Sequence, residues 1–414
     1  MTNISTLILL SICSVTFSQS DLYVSTGSYV YVDGTAFASG PTVAPLYVTD
    51  DVNLNTDGYI YLRNEAQLLQ GNNVGNTGDG RLSAYQTGTS NTYMYYYWCS
   101  PVGINSGAAG NTVFTPNINF YYETGSPITS SLFGYVGGYD GTTTQIANYW
   151  LYTFTGTTAA PNDYQDWTGL GGGSVSAGGD SAGTLATGYG FTMKGNPSGG
   201  QKYDFRGRPN NGTILTTLNA QRETLVGNPY PSALDAVAYL HTNGNDLIID
   251  SATLTFWEQK LGSTSHVLAN YEGGYATYTI NAQGTAETYT PATFDTYNVD
   301  GTINTVGGLS TSGKMVKRYI PIGQGFMVKG NGTGGTLRTT NSMRTFQKEA
   351  DGSSEFFRIS DSERTDEAMS LYNEDGLFIM PEDYMRFRLN LDFNEIYTRQ
   401  LTQTFHYTAT AGED

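Results

Sequence analysis

From Asp21 onward, apolar and polar positions alternate in short runs, and turn residues break the runs about every dozen positions. Tyr29-Val-Tyr-Val32, Leu46-Tyr-Val48, Tyr59-Ile-Tyr-Leu62 and Ala66-Gln-Leu-Leu69 are separated by Asp-Gly, Asn and Gly-Asn corners. Short strands with Asn or Gly at each corner predict a β-solenoid-like or meander module over residues 19–92. Tyr93-Met-Tyr-Tyr-Tyr-Trp98, bounded by Pro101 and Gly103, reads as a buried strand that opens a second region, 93–350. Phe114–Tyr122, Leu132–Tyr139, Tyr149–Phe154, Thr253–Trp257, Tyr275–Ile280 and Tyr319–Ile322 carry further strand signals. The expected class is all-β, a solenoid-like or meander module followed by β-sandwich regions with one short helix.

The region 93–350 contains an internal repeat. Gly188, Gly190, Phe191, Lys194, Gly195, Asn196, Gly199 and Gly200 recur in register as Gly323, Gly325, Phe326, Lys329, Gly330, Asn331, Gly334 and Gly335. Phe191 and Met193, like Phe326 and Val328, fall at period two, and the Gly-Asn pair after each run predicts a hairpin turn. Between the copies, Ser232 reads as an N-cap with Asp235 three residues on. Asn243-Gly244 closes that helix, with Leu234, Val237, Ala238 and His241 on one face. Residues 351–414 are an acidic β segment. Met385, Phe387, Leu389, Leu391 and Phe393 alternate there on one strand, and Thr398–Tyr407 is its expected partner. A lone strand pair is marginal in water, so this segment reads as the start of a C-terminal domain that continues past Asp414.

Composition narrows the class. Gly 51 and Tyr 32 are high, while charged residues make up only 14% of the 414 residues. A net charge of −17 repels phosphate backbones and excludes nucleic acid as a partner. Leu7 to Val15 is apolar but too short to span a bilayer, and small residues at Thr16 and Ser18 mark residues 1–18 as a secretory signal peptide. Ile12 before Cys13 disfavours lipidation. Removing the signal leaves Cys99 alone, without a disulfide partner, and its aromatic setting reads as a buried small residue. No later segment has transmembrane length and apolarity.

Candidate chemistry is sparse. Gly179-Asp-Ser-Ala-Gly183 places Ser181 in a G-x-S-x-G pattern, but Gly/Ser loop surrounds it where a nucleophile elbow needs a strand and a helix. No His lies upstream to serve as a base. The three histidines, His241, His266 and His406, are scattered. Asn53-Leu-Asn-Thr-Asp-Gly58 resembles the start of a calcium loop, with Asn64 where the bidentate Glu belongs, so a turn is the main reading and calcium the minor one. Glu258 beside Trp257, and Glu272 within Tyr271-Glu-Gly-Gly274, are the carboxylates nearest to a glycosidase pattern, and both read as ordinary strand-end acids. No catalytic, cofactor-binding or metal residue is assigned.

Tyr96-Tyr-Trp-Cys-Ser-Pro-Val-Gly103, Gly190-Phe-Thr-Met-Lys-Gly195, Tyr203-Asp-Phe-Arg-Gly-Arg-Pro-Asn-Asn-Gly-Thr213, Leu225-Val-Gly-Asn-Pro-Tyr-Pro-Ser-Ala-Leu-Asp235 and Asn270-Tyr-Glu-Gly-Gly-Tyr-Ala-Thr-Tyr278 occur in one order. In these motifs the chain, from about Asp21 to its end, resembles flavobacterial secreted surface proteins of the type IX secretion system cargo kind. The resemblance implies export to the outer cell surface by that machinery and a C-terminal sorting domain, which this sequence does not contain. The expected function is a non-catalytic surface protein of structural or adhesive role, in contact with surface glycans or other surface proteins. The alternative is a carbohydrate-binding module of a larger secreted polysaccharide-acting protein, because exposed tyrosine and tryptophan faces stack on sugar rings. A glycoside hydrolase is the remote third reading.

Overall fold

A computed structural model describes residues 21–35, 45–88, 92–104, 107–158, 162–170, 183–195, 201–260, 264–310, 312–356, 385–393 and 397–405. The signal segment 1–18 lies outside these residues. The chain divides into two compact units, Met1–Thr35 with Ala44–Ile359, and Ala36–Val43 with Ser360–Asp414.

The amino-terminal module is a parallel β-coil, which decides between solenoid and meander. Leu22–Val24 pairs in parallel with Val52–Leu54, Tyr29–Asp33 with Tyr59–Arg63, and Leu46–Val48 with Leu68–Gln70. The Tyr59–Arg63 strand then pairs in parallel with Arg81–Gly88. Val24, Val48, Val52, Leu54, Ile60, Leu62, Leu68 and Leu82 fill the inside of the coil. Tyr59↔Arg81 and Leu46↔Leu68 step by 22 residues, whereas Leu22↔Val52 and Tyr29↔Tyr59 step by 30. The unequal steps hide the period from the sequence. Corners use left-handed backbone at Asp57, Asn64 and Glu65.

The boundary expected at 92/93 is not a packing boundary. Arg81–Gly88 pairs antiparallel with Gln201–Pro209, which pairs on its other edge with Phe120–Ser126. Coil and sandwich therefore share one seven-stranded sheet and one core, running from Val24 to Trp98, Phe120, Phe191, Phe205 and Phe356. Facing that sheet is a four-stranded sheet of Trp167–Gly169, Tyr152–Phe154, Gly190–Lys194 and Tyr95–Cys99. Its back, through Tyr97 and Phe154, packs on Leu225 and Met327 of a five-stranded sheet. The far face of the five-stranded sheet, with Leu254, Phe256, Phe326 and Val328, closes over the helix Ala236–His241 and the pair Ile214–Leu218 and Gly335–Thr339.

Neither repeat copy forms a hairpin. Gly190–Lys194 lies in the four-stranded sheet and the following Gln201–Pro209 in the seven-stranded one. Likewise Gly325–Gly330 lies in the five-stranded sheet while Gly335–Thr339 pairs with Ile214–Leu218. In the second copy the Gly-rich turn is an arch between two sheets; residues 196–200, where the first copy's turn is expected, lie outside the described residues. Both faces of Gly190–Lys194 are buried.

The copies are related by a local two-fold. Trp98 pairs with Phe191, and Val226 pairs with Phe326 at the matching place. Trp98 also bridges to Gln324 while Val226 bridges to Tyr189, and Tyr189 and Gln324 are matching repeat positions. Such reciprocal contacts are what a two-fold demands. At its centre the backbones touch. A Cβ on Gly227 meets Cys99 Cβ at 2.3 Å and Gln324 O at 2.4 Å; one on Gly325 meets Trp98 N at 2.7 Å; one on Gly190 meets Val226 O at 2.8 Å.

The helix begins later than its sequence signals suggest. Ala233–Asp235 is drawn into a short sheet with Tyr319–Ile320 and Arg344–Thr345, so Asp235 becomes the N-cap and accepts from Val237 N. Ser232 instead accepts from Arg344 Nε at 3.2 Å. The buried face is Ala236, Tyr239 and Leu240. Pro116 likewise opens a helical turn, Pro116–Asn119, inside the expected strand Phe114–Tyr122. In the second unit, Met385–Phe393 pairs antiparallel with Tyr397–Phe405, as its alternation predicts.

Gly227→Ala and Gly325→Ala are each expected to lower stability by about 1–3 kcal/mol through overpacking. Gly332→Ala, whose Cβ meets nothing within 4 Å, is the control and should stay within about 0.5 kcal/mol. Urea unfolding of the three variants checks this, and equal losses would count against the close crossing.

Candidate functional site

The first repeat strand ends on Lys194, which is buried, whereas the matching Lys329 is about half exposed and lies 3.5 Å from Asp250. The Tyr95–Cys99 strand pairs Tyr95 directly with Lys194. Trp150 comes from the turn before Tyr152–Phe154, and Tyr271 from the turn before Gly273–Ile280. Lys194 Nζ lies 3.6 Å from the Trp150 ring centroid and 4.7 Å from those of Tyr95 and Tyr271. It also hydrogen-bonds the Tyr271 hydroxyl and lies 3.0 Å from His266 Nδ1. His266 Nε2 is 2.9 Å from Asp140 Oδ1, which also accepts from Thr92 Oγ1 at 3.0 Å. Asp140 can only accept, so His266 carries its proton on Nε2 and offers the Nδ1 lone pair to Lys194.

Charge and burial oppose each other here. Three ring faces suit an ammonium. Burial disfavours it and is the larger effect, pushing the amine down to about 6, with Asp140 pulling upward. Burial also lowers His266, against its hydrogen bond to Asp140, which raises it. The His266 hydrogen bond holds the Asp140 carboxyl below its usual range. Burial drives the Tyr271 hydroxyl far up.

A second feature lies on the outer face of the seven-stranded sheet. Tyr29, Tyr59 and Arg81 stand in one row across three parallel strands, and Tyr31, Tyr61 and Ser83 in the next. Tyr29 and Tyr31 are 58% and 41% exposed. The Arg63 guanidinium sits 3.5 Å from the Tyr85 centroid, and Arg206 lies within 6 Å of Tyr59, Tyr61 and Tyr121. Buried Asp204 holds the arrangement, accepting from Ser83 Oγ, Ser130 Oγ and Arg206 Nε, each at 2.6 Å. Rings set between guanidinium groups, on a rigid sheet, can stack on and hydrogen-bond a flat polar ligand.

The residues weighed from sequence fall elsewhere. Cys99 is buried at the two-fold, and burial pushes its thiol well up, so it is no nucleophile. His241 Nε2 bonds Ile280 O at 2.6 Å. Glu258 is buried and accepts from Ser310 Oγ at 2.7 Å, while Glu272 pairs with Lys260 on the surface. Asn53–Gly58 is a coil corner, with Gly58 N donating to Asn55 O, and Asn64 Nδ2 bonds Asp33 and Thr35. Ser181 and His406 lie outside the described residues. Among the described residues, no group of three or more His, Cys, Asp and Glu is placed to hold a metal ion. No helix among them is long and apolar enough to cross a membrane. One cavity, between the coil and the Pro321-Ile322 turn, measures about 50 Å³, room for a water or two.

Nothing local in the sequence groups Lys194, Asp140 and Tyr271, and His266 reads there as one of three scattered histidines. The repeat did mark Lys194, but it marked Lys329 equally.

Sheet layers, a parallel coil and an internal two-fold define this as an all-β protein. The chain belongs to a family known as a domain of unknown function, DUF8693, whose profile matches residues 11–414. No curated protein and no solved structure matches it.

Because the folded amine loses its proton near 6 and the unfolded one near 10.5, the unfolded state binds more protons between those values. The penalty for burying Lys194 is therefore full below about pH 6 and fades as pH rises. Lys194→Met should gain stability relative to the wild type at pH 6 and lose that advantage by pH 10. Paired thermal melts at the two pH values test this, and a pH-independent difference would mean that Lys194 stays charged in the fold.

Proposed function

We propose that the chain is an exported outer-surface protein that binds rather than catalyses, with a structural or adhesive role. The exposed tyrosine face carries this reading. Tyr29 and Tyr31 leave ring surface uncovered on a sheet whose neighbouring cations are already held by Asp204 and by backbone carbonyls. Ordered rings on a rigid sheet lose little entropy when they meet a ligand. Export and the type IX machinery as a partner rest on the amino-terminal segment and on the motif resemblance. The same face supports a second reading, a carbohydrate-binding module of a larger polysaccharide-acting protein, because ring faces beside guanidinium groups suit sugar rings and their hydroxyls.

A glycan array with the wild type and with Tyr29→Ala/Tyr31→Ala separates these readings. Competable binding to one polysaccharide class, weakened at least about tenfold in the variant at unchanged melting temperature, supports the glycan reading; that loss corresponds to about 1.4 kcal/mol. No binding to any glycan removes that reading. Protease shaving of intact cells tests the location: peptides of this chain in the released fraction support surface display, and their confinement to lysate overturns it.

A further inference from the structure

The Lys194 cluster asks for more than a structural role. A surface lysine suffices at the matching place in the second copy, where Lys329 pairs with Asp250. In the first copy the same position is enclosed by rings and attached to a relay that ends at the surface: Lys194 is buried, the His266 side chain is 17% exposed and that of Asp140 is 64% exposed. The relay has the geometry of an activated nucleophile. The amine is within hydrogen-bond reach of a base at 3.0 Å, and the base is oriented by a carboxylate at 2.9 Å. Trp150 stacks on His266 with ring centroids 5.2 Å apart and fixes the imidazole from the side. The Tyr271 hydroxyl holds the amine from below and lies 3.3 Å from the His266 carbonyl.

We propose that Lys194 is a nucleophilic amine that captures small aldehydes as imines, with His266 as its base and Asp140 as the residue that positions His266. The nitrogen lone pair adds to the carbonyl carbon, and one of the two protons left on the cationic nitrogen passes through His266 Nδ1 to the alkoxide oxygen, giving a neutral carbinolamine. His266 Nδ1 then accepts the remaining proton from nitrogen and returns it to that hydroxyl, which leaves as water while the C=N bond forms. One amine and one aldehyde give one imine and one water, with no oxidant or reductant. Protons exchange with solvent through exposed Asp140. On this proposal a short aldehyde enters beside His266, next to the exposed residues Thr264, Val267 and Ala269. Burial, which favours the neutral amine at pH 7, supplies the nucleophile. The site is independent of the tyrosine face.

Reductive trapping tests the proposal. The full chain is incubated with glycolaldehyde and cyanoborohydride at pH 7, and each lysine peptide is quantified by mass spectrometry over time. Lys194 should be alkylated at least about tenfold faster than Lys329, because an ordinary lysine is almost wholly protonated at that pH. Its rate should level off above about pH 7. His266→Asn should slow Lys194 and leave Lys329 unchanged, and Asp140→Asn should displace the Lys194 pH profile, each at near-wild-type melting temperature. If Lys194 reacts more slowly than Lys329 in the folded wild type, or if its rate follows the same pH curve as Lys329, the proposal fails and the lysine is structural.

Discussion

The close crossing of backbones at Cys99 and Gly227 is the constraint on which the rest depends. The four- and five-stranded sheets meet there with no room for a Cβ on Gly190, Gly227 or Gly325. Close approach sets how the sheets lie on one another and leaves Trp98 and Phe326 free to fill separate cores. Glycine is normally unfavourable inside a strand. Here it permits a packing that any side chain would force apart, which is why the repeat is glycine-rich at its centre as well as at its turns.

Buried amides hold the junction in register. Asn210 Nδ2 bridges the Ser100 and Pro229 carbonyls, which follow the strands that pair with the two copies, at 3.0 and 2.9 Å. Asn228 Nδ2 reaches the Ser232, Ile320 and Pro321 carbonyls. Arg344, fully enclosed, donates to Leu68 O in the coil and to Asn211. A polar group left unpaired in such a place is costly, so these bonds penalise every alternative stacking of the sheets. The segments Tyr96–Gly103, Gly190–Gly195, Tyr203–Thr213 and Leu225–Asp235 converge on this junction.

The two copies share the positions that build the crossing but not the surroundings of their lysines. Glycine and phenylalanine positions serve the crossing in both. The lysines do not, because their surroundings come from elements outside the repeat: Trp150 and Tyr271 enclose Lys194, whereas Asp250 merely accompanies Lys329. The tyrosine face arises in the same indirect way. Period-two alternation put Tyr29, Tyr31, Tyr59 and Tyr61 on one side of their strands, but only parallel stacking in the coil brought them into rows.

Local chemistry by itself determined the all-β class, most strand positions, the coil corners, the repeat and the C-terminal strand pair, because each depends on neighbours two or three residues away. Which strand pairs with which was decided by the tertiary structure. Long-range burial set the strands flanking each expected hairpin in different sheets, merged the coil with the sandwich through Arg81–Gly88 and Gln201–Pro209, and shifted the helix cap from Ser232 to Asp235. The Lys194 cluster belongs wholly to that second category. Asp140, Lys194 and the His266–Tyr271 segment are far apart along the chain, and their distances and desolvation exist only once the sheets have closed on one another.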